Sequence, residues 1–170
     1  YLHQLLTKRV AGMPVAYLTG KQGFYDSIFE VTPDVLIPRP ETELLVETAL
    51  ARIPVNHACN ILDLGTGSGA IAITIARHRP HAQVLALDIS SKALLLARKN
   101  AERLSVRNID FVMSNWYESL ISETKFDGIV ANPPYIASND PHLEQGDLRF
   151  EPMLALAAKN NGLSCLHKII

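Results

Sequence analysis

The short apolar run Ile61-Leu62-Asp63-Leu64 passes directly into three glycines at alternate positions, Gly65, Gly67 and Gly69, and then into Ala70 to Arg79, whose apolar residues recur at helical spacing until Pro80. A strand that turns through glycines straight into a helix opens a βα unit. The alternation continues downstream. Val84 to Asp88 reads as a second strand and Ser91 to Leu104 as an amphipathic helix behind a serine cap. Ile109 to Met113 and Asp127 to Ala131 read as the third and fourth strands. Such a pattern implies an α/β fold, a doubly wound and mostly parallel sheet with helices on both faces. The chain has 170 residues, 48% hydrophobic and 19% charged, which suffices for about one domain with its own core.

Upstream of this pattern, Leu2, Leu5, Leu6 and Val10 keep helical spacing, and Gly12 with Pro14 stops that helix. Val15 to Leu18 and Phe24 to Val31 are short pieces broken by glycine that suit a small β-hairpin. In Ile37-Pro38-Arg39-Pro40-Glu41-Thr42-Glu43 the prolines hold an extended turn, and the acidic residues enter a helix whose dipole they suit. Leu44, Leu45, Ala49, Leu50 and Ile53 mark that helix, which ends before Pro54. Arg39 and Glu41 either shape the entrance to a site or brace this linker. Arg77, His78, Arg79, Arg98 and Lys99 read as solvated helix faces.

Charge narrows the partners. Lys and Arg total 16 against 17 Asp and Glu, a net charge of −1, so the basic bias that favours a phosphate backbone is absent and no direct nucleic-acid partner is expected. Cys59 and Cys165 form no CxxC pair and belong to no pattern with metal-ligand spacing, so they read as buried reduced thiols and no metal is expected. No run approaches the ~18 apolar residues of a membrane span, and the first residues lack a signal-peptide core. A cytoplasmic protein is the expectation. The chain opens on Tyr1 inside a helical pattern, which suggests a fragment.

The loop Asp63-Leu64-Gly65-Thr66-Gly67-Ser68-Gly69 is suited to a cofactor, because glycines let the backbone approach a ligand without Cβ interference. With Ala70 it satisfies the GxGxxG/A fingerprint, and Asp88, at the end of the second strand, is placed to accept hydrogen bonds from ribose hydroxyls. NAD and S-adenosyl-L-methionine both fit. Asp63 favours the second, since a carboxylate ahead of the glycines attracts an ammonium group and repels pyrophosphate. Asp63 as a simple brace of the loop is the alternative.

Asn132-Pro133-Pro134-Tyr135 follows the fourth strand, at the carboxyl edge where ligands of open α/β folds bind. The Asn132 side-chain oxygen and the Pro133 carbonyl can each accept one hydrogen of a planar NH2 group. The prolines stiffen the turn, and Tyr135 can stack on a flat substrate. Such a nitrogen is a poor nucleophile because its lone pair is delocalised. Accepting both hydrogens returns density to it and aligns it, so positioning and electrostatics do most of the catalysis and no general base is required. A proline-rich turn with a capping asparagine is the structural alternative.

These segments together resemble the protein-(glutamine-N5) methyltransferase family, whose members methylate the glutamine of the Gly-Gly-Gln loop of peptide chain release factors. The resemblance rests on residues 37–43, the Asp63 to Gly69 loop, Asp88, Ser114-Asn115-Trp116, the Asn132 to Tyr135 tetrapeptide and Arg149-Phe150-Glu151-Pro152. It implies a class I S-adenosylmethionine-dependent methyltransferase of Rossmann-like fold. Gly65, Thr66, Gly67, Ser68, Gly69, Asp63 and Asp88 would take the methionine and ribose parts of the cofactor. Asn115 and Trp116 would line the adenine, although Trp116 as a core aromatic is an equal alternative. Asn132, Pro133, Pro134 and Tyr135 would bind the substrate glutamine, with Asn132 also beside the cofactor. Asn115 stands where such relatives carry Asp, so slightly weaker cofactor affinity is expected, relieved by Asn115→Asp.

The resemblance further implies a sheet of seven strands, of which the last are missing here, leaving the fourth strand as an unpaired edge and Leu163 to Ile170 as the opening of a helix. Residues 1–36 would be the tail of an N-terminal substrate-docking domain with the hairpin as linker, and residues 37–170 an incomplete catalytic domain. The full-length protein is expected to be a monomer. Competing readings are an adenine-N6 methyltransferase of nucleic acid, a binder of S-adenosylmethionine without turnover, and an NAD-linked oxidoreductase. Net charge opposes the first, and Asp63 with the Asn132 to Tyr135 segment opposes the last.

Overall fold

The computed structural model describes residues 2–170; Tyr1, the first residue of the expected docking segment, lies outside the described residues. In chain order the elements are α1 (Leu2–Val10), α2 (Val15–Thr19), β1 (Lys21–Phe24), β2 (Ser27–Glu30), α3 (Glu43–Arg52), β3 (Cys59–Leu64), α4 (Ala70–His78) and β4 (Ala82–Asp88). Then follow α5 (Ser91–Arg103), β5 (Ile109–Met113), β6 (Gly128–Ala131), β7 (Ile136–Ala137), α6 (Met153–Leu156), β8 (Ala157–Ala158) and α7 (Leu166–Ile169). The chain divides into two compact units, a larger one of residues 23–29 and 38–132 and a smaller one of residues 2–22, 30–37 and 133–170.

The larger unit is built on a four-stranded sheet in the order β5-β4-β3-β6, with every neighbouring pair parallel. The order reverses at β3, which has β4 on one side and β6 on the other. Such a reversal is where an open α/β sheet leaves a crevice beyond its strand ends. The central strand is apolar almost throughout, with Ile61, Leu62 and Leu64 at 1% exposure or less, as expected of a strand covered on both sides.

Ile61, Val84, Ala86, Phe111 and Val130 pack in one core cluster with Val46 and Ala49 of α3, the apolar face of α4, and Leu94, Ala97 and Ala101 of α5. Each fully buried aliphatic side chain there contributes about 1.5–3 kcal/mol. One core cluster thus holds α3, α4 and α5 against the parallel sheet, the helix-covered sheet expected of a doubly wound α/β fold.

The expected hairpin exists, but not where the sequence suggested. β1 and β2 form a two-stranded sheet, whereas Val15–Thr19 is a helix. Pro14 sits at its N-terminal cap with ψ 139°, and Gly20 closes it at φ 69°, donating its N–H to the Ala16 carbonyl. The hairpin tip is tied down. Phe24 and Phe29 meet edge to face with centroids 6.1 Å apart, and the Tyr25 N–H donates to Glu43 Oε1 at 2.8 Å. Asp26 accepts from Arg77 at 3.2 Å and pairs with His78 at 3.1 Å.

Several basic residues read as solvated faces are in fact anchors. Besides Arg77, Arg79 donates to the Ile53 carbonyl at 2.7 Å and to the Leu50 carbonyl, which satisfies orphan acceptors at the end of α3. Arg98 donates to the Phe111 carbonyl.

In the smaller unit α1 is tethered at its C-terminal end. Arg149 donates to the Ala11 carbonyl at 2.7 Å, and its Nη2 lies only 2.0 Å from where a Cβ on Gly12 would stand. The buried carboxylate of Glu151 accepts the Ile37 N–H at 3.0 Å, and the Tyr17 hydroxyl donates to the Val35 carbonyl at 2.6 Å. The stretch beyond Tyr135 is not a plain loop. Ile136 and Ala137 pair in parallel with Ala157 and Ala158, and the terminal helix is confined to Leu166–Ile169. Cys59 and Cys165 are free and half-buried, not fully buried as expected. Among the described residues no helix is long and apolar enough to cross a membrane.

Candidate active site

Four segments leave the carboxyl edge of the larger unit's sheet from neighbouring strand ends. Leu64 of β3 is in register with Leu87 of β4 and with Ala131 of β6, and Asp88 is in register with Met113 of β5. The backbone alone therefore brings the glycine loop, Asp88, Asn115 with Trp116, and Asn132 to one edge of one sheet. These are the residues that sequence spacing nominated within this unit.

The loop's amides do not face outward, contrary to the expectation that they approach a ligand. Gly65 and Thr66 both donate to the Leu87 carbonyl at 2.9 Å, and Gly69 donates to the Thr66 carbonyl at 2.8 Å. The Gly67 N–H is taken by Asp88 Oδ2 at 2.8 Å. An anion-binding loop offers free N–H groups; this one has spent four of them internally, which disfavours pyrophosphate. What the glycines supply is backbone conformation and room. Gly65 and Gly67 have φ of +75° and +57°, and a Cβ on either would meet nothing within 4 Å. Gly69, at φ +84°, serves packing, because a Cβ there would lie 2.5 Å from Ile73 Cδ1. The loop is also held from α5, where the buried Asn100 donates its Nδ2–H to the Ser68 carbonyl at 2.9 Å.

Two carboxyl groups sit inside this edge. Asp63 is fully buried, and burial pushes its carboxyl up to about 7. The Thr66 hydroxyl eases the charge, the Asp88 carboxylate opposes it, and the Ala72 N–H eases it slightly. Neither donor reaches hydrogen-bond geometry, so both Asp63 oxygens and the Thr66 hydroxyl remain without a partner. Buried polar atoms of this kind are costly unless something completes them. Asp88 is also raised, chiefly by burial, although its two oxygens accept from Gly67 and Ser90, each at 2.8 Å. Each oxygen keeps acceptor capacity for a further donor.

After β5, the Ser114 N–H donates to the Asp88 carbonyl at 3.0 Å, which pins this turn beside the second carboxylate. The Ser114 hydroxyl donates to the Trp116 carbonyl at 2.7 Å and accepts the Ser119 N–H at 3.1 Å. Trp116 is half-buried and has φ 55°, a conformation that a bulky side chain adopts only where its surroundings impose it. It is not a core aromatic. The Asn115 Nδ2–H donates to Glu118 Oε1 at 2.5 Å, which leaves the Asn115 oxygen available as an acceptor.

Asn132 is half-buried, and its Nδ2–H donates to the Thr42 hydroxyl at 3.3 Å. Thr42 lies in the Ile37 to Glu43 linker motif, where its sequence position suggests only a helix start. The rest of the tetrapeptide belongs to the smaller unit, where Pro133 is buried, Pro134 half-buried and Tyr135 64% exposed. The Tyr135 carbonyl oxygen lies 2.1 Å from where a Cβ on Gly162 would stand, and Gly162 has φ +88°. Gly162 is thus a second residue that sequence reasoning missed. Its signal was weak, a lone glycine after two asparagines.

Over 166 residues the chain is 52% identical to the release factor glutamine methyltransferase of Bordetella pertussis, a match covering 98% of this chain and 61% of the relative. The release factor glutamine methyltransferase of Salmonella typhimurium is likewise 52% identical, over 99% of this chain and 60% of its own length. The chain thus spans about 60% of the curated relatives it matches. Among solved structures, a precorrin-6y C5,15-methyltransferase from Geobacter metallireducens superposes with a TM-score of 0.51 at 19% identity, over 61% of this chain and 53% of that one, a likeness of fold. The methyltransferase small domain matches residues 40–148, a span that contains all four strand ends of the sheet, and the chain belongs to the methyltransferase small domain family.

Proposed function

We propose that this chain is the catalytic part of an S-adenosyl-L-methionine-dependent enzyme that methylates the N5 amide nitrogen of the Gly-Gly-Gln glutamine in class I peptide chain release factors. The observation that supports the reading is the pairing of β6 with β3: with Ala131 in register with Leu64, Asn132 follows at the strand end from which the glycine loop leaves. The relatives' names and their identity over nearly the whole of this chain support the same substrate.

The residues present fit the cofactor. Asp63 is an unpartnered buried carboxylate, which calls for a cation, and the methionine part carries an ammonium group. Space over Gly65 and Gly67 leaves room for a ligand against the backbone. When bound, S-adenosylmethionine supplies an activated methyl on a sulfonium. Asp88 accepts the ribose hydroxyls with the capacity left on its two oxygens. The Asn115 oxygen accepts from the adenine amine, and Trp116 lines the ring. The Asn132 oxygen and the Pro133 carbonyl accept the two hydrogens of the glutamine NH2, which returns lone-pair density to the nitrogen, while Pro134 and Tyr135 shape the surface for the flat amide. The proton left on the methylated nitrogen departs to water, and no side chain is required as a base.

In this reading residues 1–36 end a docking domain, residues 37–170 form the catalytic domain, and the full-length protein works as a cytoplasmic monomer. The test is methyl transfer from labelled S-adenosylmethionine to intact release factor and, in parallel, to DNA and RNA, with Asn132→Ala as control. Label in the release factor alone, abolished by Asn132→Ala, is the expected result. Label in nucleic acid, or an active Asn132→Ala variant, overturns the reading.

A further inference from the structure

We infer that Thr42 is a positioning residue for Asn132: it holds the side-chain amide by its nitrogen and so commits the amide oxygen to the substrate. The inference rests on the reading of Asn132 as the residue that binds the glutamine amide.

Thr42 closes a 3-10 turn, Pro40–Thr42, that runs straight into α3, and at φ −72° and ψ −16° its backbone is already helical. A residue in that conformation is not set to cap the helix, and its side chain makes no cap bond. The hydroxyl is thus free for a distant partner: its Oγ1 accepts the Asn132 Nδ2–H at 3.3 Å, across 90 residues of sequence.

An asparagine amide has a donor end, the NH2, and an acceptor end, the carbonyl oxygen, and a rotation of about 180° around χ2 exchanges them. With the nitrogen held by Thr42, the acceptor end is left for the incoming NH2 group. The flipped amide would present its own NH2 to the substrate's NH2, two donors facing each other. Because a hydroxyl can also donate, Thr42 anchors the amide in either orientation and the substrate's NH2 disfavours the flipped one; together they leave the observed arrangement, nitrogen on Thr42 and oxygen toward the substrate. Thr42 arrives from the turn before α3 and Asn132 from the end of β6, so neither residue's neighbours in sequence can supply this contact.

The experiment compares Thr42→Val, which keeps the branched shape and loses the hydroxyl, with Thr42→Ser, which keeps the hydroxyl, in the full-length protein. Methyl transfer to release factor is followed as kcat and KM, and melting temperature is recorded. The Val variant should lose about tenfold in kcat/KM, the usual scale of one neutral hydrogen bond, with the Ser variant restoring activity to within about twofold. A merely structural role would follow melting temperature and not the hydroxyl. Full activity of Thr42→Val, or no rescue by Ser, overturns the inference while inactive Asn132→Ala leaves the functional reading standing. If the wild-type protein transfers no methyl to release factor, that reading fails by itself. The Asn132 side-chain amide resonances in 15N–1H spectra then decide on Thr42: a shift in Thr42→Val with return in Thr42→Ser supports the contact, and unmoved resonances overturn it.

Discussion

Replacing Asp63 with asparagine tests the electrostatics of the site most directly. The Asp63 carboxyl is fully buried and moves from an ordinary value near 3.8 to about 7, mainly because burial disfavours its charge. Its value in the folded state is raised, so between those two pH values the folded chain holds a proton that the unfolded chain has released. Stability conferred by the protonated group is present below pH 3.8 and is lost as pH rises toward 7. At about 1.4 kcal/mol for each pH unit, over roughly three units, the loss is on the order of 4 kcal/mol. Asp88 faces the same carboxyl and is itself raised by burial, giving a slope of the same sign that survives the substitution. The difference between parent and Asp63→Asn isolates Asp63.

Urea unfolding of the ligand-free protein at pH 5 and pH 8 is the assay. The parent should lose stability relative to Asp63→Asn by about 3 kcal/mol across that interval, because only the roughly two units between pH 5 and 7 carry the slope. Binding of S-adenosylmethionine should show the reverse dependence, since its ammonium favours the ionised carboxylate. Affinity should rise by up to about tenfold per pH unit below 7, with proton release on binding, and the asparagine variant should lose this slope. Parallel stability curves for the two proteins between pH 5 and 8 would refute the assignment of an isolated buried carboxyl.

The glycines of the loop should respond differently to alanine. Gly69→Ala brings a Cβ within 2.5 Å of Ile73 Cδ1 and 3.2 Å of Ala97 Cβ at φ +84°, so it should cost about 2–4 kcal/mol in chemical denaturation, strain and overpacking together. Gly65→Ala, at φ +75° with open space, should cost only about 1 kcal/mol; equal losses would remove the packing role given to Gly69. At the proposed adenine end, the Asn115–Glu118 contact at 2.5 Å changes the expected effect of Asn115→Asp. A carboxylate there would face Glu118, so cofactor affinity should fall and be recovered in the double variant with Glu118→Gln; isothermal titration across the four proteins checks this, and tighter binding by Asn115→Asp alone would contradict it.

The sheet of the larger unit was readable because its strands are short apolar runs bounded by glycine, proline or asparagine, and each is followed by a helix with 3.6-residue spacing or by a distinctive turn. Val15–Thr19 was misread because five residues carry too little periodicity to separate helix from strand. Pro14 and Gly20, a start and a stop, were the better signals. Arg77 and Arg79 look like any solvated pair in sequence. Their partners Asp26, Leu50 and Ile53 lie 26 to 51 residues away.

Sequence alone determined the βα order, the glycines, and the acids and amides that end each strand, because these are local matters of propensity, turn chemistry and spacing. Tertiary structure decided what those groups became. It turned the loop's amides onto Leu87 and Asp88, buried Asp63 without a partner, and set Thr42 against Asn132. Hydrogen bonding and desolvation depend on which atoms meet across the fold, and strand register, not nearness in the chain, settles that.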